Sequence, residues 1–397
     1  MKFSRADRSR LSDWWFTVDH VLLSAILIVV AVGLVLSVAA SPAVAIKKGF
    51  DAYYFVERHV VFSAAGILII LAVSLLDPPA VRRLSLLVLA GALVGLIAVF
   101  LMGDEINGAR RWLSIEGHSI QPSEFAKPAF VVVSAWLLAE ARRRPDMPAL
   151  PLAMLLFATF AALLVVQPDV GQTMLVTLVW IAMLFVSGIA LKGAAIAGAA
   201  GAVGLYAAYL YFPHVAIRID RFFGPQSASD FTQGGRAIQS FIEGGFLGRG
   251  PGEGTIKTSL PDAHTDYIFA VVAEEYGAVA CLALVALFAF VVLRALRHAE
   301  SEPDAATRLG IVGLALMFGF QALINTGVNT GLLPAKGMTL PFLSAGGSSM
   351  LAISLTLGML LALTRHRPDA DRLKKPPLMP SLPSLDARHT AANESRT

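Results

Sequence analysis

The chain has 397 residues, of which 56% are hydrophobic and only 15% are charged, whereas soluble domains carry about 25% charged residues. Apolar stretches near or above 18 residues recur along it and are long enough to cross a bilayer as helices. These features exclude an ordinary soluble protein and indicate a multi-pass membrane protein. The formal net charge of +4 gives no reason to expect a nucleic-acid partner, because basic residues in membrane proteins mainly report topology.

Ten apolar segments are predicted to cross the membrane as an all-α helix bundle. The first one follows a charged N-terminal segment and is too long for the core of a signal peptide, so we expect it to be retained. The predicted spans are 19–42, 59–76, 84–102, 122–140, 150–166, 170–188, 190–211, 266–293, 309–328 and 346–364.

The distribution of basic residues predicts that both termini are cytoplasmic, because cytoplasmic loops carry an excess of Lys and Arg. The sequence then divides into a cytoplasmic segment (1–18), a membrane domain (19–364) with a long outer loop between spans seven and eight (212–265), and a Pro-rich, disordered cytoplasmic tail (365–397). The basic residues on the predicted inner side before the tail are Lys2, Arg5, Arg8, Arg10, Arg82, Arg83, Arg142, Arg143, Arg144, Lys192, Arg294, Arg297 and Arg308.

The polar motifs gather on the predicted outer side. They are "EINGARRWLSIEGHSIQPSEFAK" (105–127), "QPDVGQT" (167–173), the loop 212–265, and "NTGVNTGLLPAKGMTLPFLSAGGSS" (325–349). Any chemistry is therefore expected to face outward. Cys281 is the one cysteine, which excludes an intramolecular disulfide, and the scattered histidines predict no metal site.

The stretch "LPDAHTDYIFAVVAEEYG" (260–277) carries acidic residues into an apolar helix. At 100° per residue, Asp266 shares a face with Ala270, Ala273 and Gly277. These small residues either leave room beside its carboxylate or permit close helix packing. Asp266 is the best functional candidate, although a helix N-cap would also explain it. Glu274 and Glu275 lie off that face, so one of them must contact neighbouring helices, and structural roles are expected for both.

Other outer residues have structural alternatives. Glu124 and Lys127 are one helical turn apart and could pair with each other, Asp169 could cap the next helix, and His264 could be an ordinary loop histidine. The segment "GGFLGRGPGEGTIK" (244–257) lacks the Gly-Lys-Ser/Thr of a nucleotide-binding loop. It could still wrap an anionic head group through its backbone N–H groups.

In order, "QPSEFAK", "QPDVGQT", "GGFLGRG" with the stretch 260–277, and the motif 325–349 resemble the signatures of the SEDS family (shape, elongation, division and sporulation), and the division member more than the elongation member. The resemblance implies a ten-span glycosyltransferase that polymerises lipid II into peptidoglycan at the division septum. It places the protein in the bacterial cytoplasmic (inner) membrane, with its active site facing outward. It also implies a class B penicillin-binding transpeptidase and other division proteins as partners.

The resemblance also assigns site residues. The essential aspartate of the family's His-Thr-Asp motif corresponds to Asp266, and the other functional positions to Asp169, Lys127 and Arg111. Further candidate substrate-binding residues in the same motifs are Glu124, His264, Thr265, Lys336, Ser344, Gly346 and Gly347.

Joining two lipid II molecules requires the 4-hydroxyl of one sugar to attack the anomeric carbon of another and displace lipid pyrophosphate with inversion. Asp266 suits the general base. Lys127, Arg111 and Lys336 suit the stabilisation of the pyrophosphate leaving group. No cofactor is required by the sequence, although a divalent cation (Mg²⁺ or Mn²⁺) could share that work with Asp169 as a ligand.

Two other functions remain open at this point. A lipid II flippase would also place polar groups inside a helix bundle, but the candidate residues concentrate on one side and do not line a path across the membrane. A non-catalytic scaffold of the division machinery would explain the acids as caps and packing partners, but not the clustering of polar motifs at one surface.

Overall fold

The computed structural model describes residues 9–106, 109–115, 118–188, 232–260, 262–334 and 337–366, with isolated positions between 199 and 220. Four parts of the predicted chain lie outside the described residues. They are the seventh span and the outer loop up to residue 231, each apart from isolated positions, then Lys336 and the tail from residue 367. The helices are α1 (Arg10–Thr17), α2 (His20–Lys47), α3 (Tyr54–Ser74), α4 (Pro78–Met102), α5 (Pro122–Arg143), α6 (Ala149–Val166), α7 (Val170–Val186), α8 (Gln233–Gly244), α9 (Ile268–Ser301), α10 (Ala305–Asn329) and α11 (Gly347–Leu363).

The predicted membrane-helix bundle is confirmed. Nine of the ten predicted segments coincide with described helices, α2 to α7 and α9 to α11. Six helices of the described chain, α2, α3, α4, α6, α9 and α10, are long and apolar enough to cross a membrane. The number of spans and the side on which the termini lie stay predictions.

Helix α10 lies at the centre of the bundle, where it packs against α5, α7, α9 and α11. In the most apolar stretch of α10, 72% of the residues are buried, compared with 22% in that of α3. Helices α3 and α11 pack closely because small residues face each other: a Cβ on Gly66 would lie 2.4 Å from Ser354 Oγ.

Helix α9 differs from its predicted form at both ends of the acidic stretch. It begins at Ile268, with Tyr267 at its N-cap, and it is kinked at Gly277, where φ is 80°. The predicted common face of Asp266, Ala270, Ala273 and Gly277 is therefore wrong, because only the two alanines lie in regular helix. At 34 residues and about 1.5 Å per residue the helix is longer than a bilayer core is thick.

A small antiparallel sheet lies between α4 and α5. Its strands β1 (Asp104–Ile106), β2 (Ala109–Ile115) and β3 (His118–Ile120) are ordered β1-β2-β3. Leu113 pairs with Ile120 and Glu105 with Arg110. The sequence predicts that this segment lies outside the membrane, but it does not predict the strands, which are short and rich in charged residues. The sheet matters because its middle strand carries Arg111.

The opposite end of the bundle is joined by ion pairs. The carboxylate of Asp19, which caps α2, accepts hydrogen bonds from Arg294 (2.7 Å) and His298 (2.5 Å) near the end of α9. Arg143 of α5 pairs with Asp304, the N-cap of α10, at 2.7 Å. In the small unit formed by the two ends of the chain, Thr17 O accepts a hydrogen bond from His366 N (3.1 Å).

We expect Asp19→Asn to lower the free energy of unfolding by about 1.5–3 kcal/mol, the range for hydrogen bonds to charged groups. The Asp19 side chain is only 5% exposed, and asparagine keeps the capping oxygen while losing the charge. Thermal unfolding in detergent micelles measures the change. Asp77→Asn is the matched control, because Asp77 caps α4 from an exposed position; equal losses in both variants would contradict the ion-pair explanation.

Candidate active site at one end of the bundle

Asp266 lies in a turn, residues 262–267, immediately before α9, and is half-buried. Its carbonyl oxygen accepts hydrogen bonds from the Nδ2 atoms of Asn325 and Asn329, both at 2.9 Å. Because the N-cap of α9 is Tyr267, the N-cap interpretation of Asp266 is wrong. The turn has the half-exposed position expected of a group that meets a substrate.

The two asparagines are buried in α10, one helical turn apart. Asn325 also donates to Met338 O (2.6 Å), and Asn329 Oδ1 accepts from Ala270 N (3.1 Å). They therefore join α10 to the turn, to α9 and to the segment before α11. Both lie in the motif 325–349, but no role was predicted for either. The feature of the sequence that could have indicated a role is the pair of amides four residues apart in an apolar helix.

The segment before α11 also fixes the same turn. Ser344 Oγ donates to Thr265 O (2.5 Å) and accepts from Leu340 N (2.7 Å), while Ala345 N donates to His264 O (2.8 Å). Three consecutive carbonyl groups, those of residues 264, 265 and 266, are thus held by hydrogen bonds. The contacts of Ser344 position the turn, and its contact with a substrate stays a prediction.

The glycines of the same motif have different surroundings. A Cβ on Gly337 would lie 3.5 Å from Asp266 Oδ2, so this backbone passes beside the carboxylate. A Cβ on Gly347 would lie 2.6 Å from the ring of Phe62, which explains glycine there by packing. Gly346 is the N-cap of α11. Lys336, the predicted partner of the leaving group, lies outside the described residues.

His264 is buried and packs on the ring of Phe55, with 4.5 Å between ring centroids. Burial, together with the nearby positive charge of Lys48, lowers the pKa of His264 to about 4. The imidazole is therefore neutral at neutral pH and adds no positive charge for an anionic substrate. Its Nδ1 atom has no hydrogen-bond partner among the described residues.

A buried polar group formed by α5 and α7 contains Glu124, Lys127 and Gln172. Lys127 Nζ lies 2.9 Å from Glu124 Oε2 and donates to Gln172 Oε1 (2.7 Å), while Gln172 Nε2 donates to Glu124 Oε1 (2.6 Å). The predicted pairing of Glu124 with Lys127 is thus present. None of the three residues is more than 4% exposed.

Asp169 and Arg111 adjoin this group through Gln172. Asp169 Oδ1 caps α7 by accepting from Gln172 N (3.4 Å) and lies 3.7 Å from a terminal nitrogen of Arg111. Its other oxygen accepts from Gln121 Nε2 (3.3 Å). Arg111 also donates to the carbonyl groups of Gln167 and Pro168. The N-cap interpretation of Asp169 is confirmed. No role was predicted for Gln121 or Gln172, because an uncharged amide gives little sign in the sequence of the partner that it binds.

Ser348 connects the segment 340–349 to this polar group. Its hydroxyl donates to Ser119 O in β3 (3.0 Å) and accepts from Gln121 N (3.3 Å). Since Ser344, four residues earlier, holds the turn, the segment 340–349 contacts both. The structure therefore brings the described parts of the four predicted polar motifs together at one end of the bundle.

A divalent cation with Asp169 as a ligand stays a prediction, and the described residues offer it few free ligands. They contain no group of three or more His, Cys, Asp or Glu side chains that could hold a metal ion. Both oxygens of Asp169 already have donors, and Arg111 places a positive charge beside them. No chemical step is therefore derived through a cation at this site.

Comparison with known proteins agrees with these motifs. The family model FTSW_RODA_SPOVE, described as cell cycle protein, matches residues 19–369. A probable peptidoglycan glycosyltransferase FtsW of Caulobacter vibrioides is 43% identical over 93% of this chain and 94% of that protein. A protein of the same name from Trichlorobacter lovleyi is 34% identical over 87% and 93%, respectively.

Solved structures share the fold. A chain from a structure on coordination of polymerization and crosslinking by a peptidoglycan synthase complex has a TM-score of 0.74 and 29% identity, covering 91% of this chain and 100% of that one. Rod shape determining protein RodA of Thermus thermophilus has a TM-score of 0.64 and 28% identity, covering 88% and 97%. The chain therefore belongs to the cell cycle protein family of FtsW, RodA and SpoVE, the SEDS family that its motifs predicted.

Proposed function

We propose that this protein is a peptidoglycan glycosyltransferase that polymerises lipid II during cell division. Its relatives at 43% and 34% identity carry the name "Probable peptidoglycan glycosyltransferase FtsW". The observation that carries the proposal is the Asp266 turn, whose carbonyl groups are fixed by α10 and by the segment before α11 while Asp266 itself stays half-exposed. Glycosyl transfer needs a general base beside the attacking hydroxyl, whereas moving or recruiting a lipid head group requires no such base.

Asp266 acts as the general base in this proposal. Its carboxylate accepts the proton of the attacking 4-hydroxyl as the new bond to the anomeric carbon forms and the bond to pyrophosphate breaks, with inversion. Fixing the turn by hydrogen bonds orients the carboxylate before the substrate arrives. The half-exposed position lets a sugar hydroxyl reach it from outside the bundle.

Positive charge for the departing pyrophosphate comes from the other polar group. Arg111 has 20% of its side chain exposed, whereas Lys127 has 2%. We therefore propose that Arg111 contacts the pyrophosphate directly. Lys127 stabilises the negative charge of the pyrophosphate indirectly, through Gln172 and through the electrostatic field of its ammonium group. Lys336 remains a proposed third partner on the basis of its motif.

The proposed setting follows from the same family. The protein acts as a multi-pass protein of the bacterial inner membrane at the septum, with the site facing outward and the prenyl tail of lipid II remaining in lipid. A class B penicillin-binding transpeptidase is the proposed partner. The likeness to a chain from a peptidoglycan synthase complex supports such an assembly.

The test is a polymerisation assay. The protein is purified with its cognate transpeptidase, made inactive for crosslinking, and given lipid II with and without Mg²⁺ or Mn²⁺. We expect glycan polymer on a gel. An intact complex that makes no polymer but moves head groups across vesicles would favour the flippase; one that does neither would favour the scaffold.

A further inference from the structure

Glu274 and Glu275 of α9 are 0% and 1% exposed and precede the kink at Gly277. Structural roles were predicted for both, with one of them contacting neighbouring helices. Both side chains contact the segment 245–259, which we call the α8–α9 loop. Glu274 and Glu275 therefore bind the loop that leads towards Asp266.

The carboxylate of Glu274 is surrounded by backbone donors. It accepts hydrogen bonds from the N–H groups of Thr255 (2.6 Å), Ile256 (2.7 Å) and Lys257 (3.1 Å). Successive N–H groups of this kind form an anion-binding concavity. The glycine-rich segment thus wraps a carboxylate of its own chain, and these three donors are not open to the head group that the sequence suggested.

Glu275 holds the loop through a side-chain cation. It forms an ion pair with Lys257 Nζ and accepts a hydrogen bond from Gly252 N (3.0 Å). The buried Lys257 ammonium also donates to Ala39 O of α2 (3.2 Å) and to Gly252 O (3.3 Å). One buried ion pair therefore joins α9, the loop and α2.

The backbone of the same two acids adds to this attachment. Glu274 O accepts from Arg249 N (2.9 Å), and Glu275 O accepts from Gly250 N (3.0 Å). The loop ends in a short 3₁₀ helix, Ile256–Ser259, and the turn that contains Asp266 begins only a few residues later. A displacement of the loop would be transmitted to the turn through this short connection.

We propose that Glu274 and Glu275, together with Lys257, are positioning residues for Asp266. They fix the α8–α9 loop, and the loop sets the position of the turn, residues 262–267, that carries Asp266. Asn325, Asn329 and Ser344 fix the far end of that turn. This inference rests on the proposed polymerase function, but the order of the loop is measurable without it.

The variant Glu274→Gln tests the idea, because an amide has one acceptor oxygen and turns a donor towards a backbone N–H group. We expect kcat for polymerisation to fall on the order of 10- to 100-fold, the scale of a misplaced catalytic group. The KM for lipid II should stay near that of the wild type, because Arg111 and Lys127 are held by other contacts. Glu243→Gln is the control: Glu243 pairs with Arg249 of the same loop at the surface.

A spin-label distance reports loop order directly. Labels at Glu253→Cys in the loop and Leu332→Cys after α10 occupy exposed positions, in a Cys281→Ala background that removes the one native cysteine. We expect a narrow distance distribution that broadens with Glu274→Gln and not with Glu243→Gln. An unchanged distribution, or a broadened one with normal kcat, would overturn the proposal. Absence of polymer from the wild type would instead refute the polymerase function.

A second variant keeps the proposal testable if a single substitution prevents folding. Glu275→Gln alone leaves the Lys257 ammonium buried without its partner, whereas Glu275→Gln with Lys257→Met removes both charges. The double variant should fold, show a broadened loop distribution and polymerise at least about tenfold more slowly. Normal turnover by the double variant would show that the pair does not position Asp266.

Discussion

Asp266→Asn should reduce lipid II polymerisation on the order of 10²- to 10⁴-fold, the usual contribution of a positioned general base. Asparagine has nearly the same shape as aspartate but cannot accept the proton of the attacking hydroxyl. The hydrogen bonds that hold the turn involve the backbone carbonyl of residue 266, so they survive the substitution. The loss should therefore appear in kcat, with the fold and the partner complex intact.

The measurement compares polymer length and amount on gels for the purified complexes. Asp51→Asn provides the matched control, because it makes the same chemical change at an exposed residue between α2 and α3. Equal polymer from wild type and Asp266→Asn would remove Asp266 from the chemistry. The search for the base would then move to Asp169, which is buried and already has donors on both oxygens.

The sequence predicted most of the helices because long apolar stretches allow few other structures in a membrane. It did not predict the sheet between α4 and α5, whose strands are too short and polar for a periodic signal. Helical spacing also failed around Asp266. A common face for residues 266 to 277 requires regular helix throughout, whereas α9 starts at Ile268 and is kinked at Gly277.

The sequence predicted which types of residue form the site, but for most of them it did not predict which residues they contact. The pairing of Glu124 with Lys127 follows from their spacing of one helical turn. By contrast, Asn325 and Asn329 bind the carbonyl of Asp266 from 59 and 63 residues away, and the backbone donors around Glu274 lie 17 to 19 residues earlier. Such contacts depend on tertiary packing, which the spacing within one motif does not contain.

Lys127→Met should lower the free energy of unfolding by about 3–5 kcal/mol, because it leaves the Glu124 carboxylate buried without its ion-pair partner. Glu124 and Lys127 are 4% and 2% exposed, so water cannot replace the lost partner. Gln172 would still donate to Glu124 but carries no charge. Equilibrium unfolding in detergent micelles measures the loss.

The double variant Glu124→Gln with Lys127→Met separates structure from chemistry. Removing both charges of a buried pair is often neutral for stability, so we expect most of the loss to be recovered. Polymerisation should nevertheless stay on the order of 10²- to 10³-fold below that of the wild type, the scale of losing one electrostatic stabiliser of the transition state.

The comparison is decisive because the two roles of Lys127 predict opposite activities in a stable protein. If the lysine only neutralises Glu124, the double variant should polymerise normally, and the positive charge for pyrophosphate would come from the more exposed Arg111. If the lysine supports the leaving group, stability returns without activity. The second result is expected, since a buried ammonium ion beside Gln172 acts on Arg111 and Asp169 through the same hydrogen-bonded group.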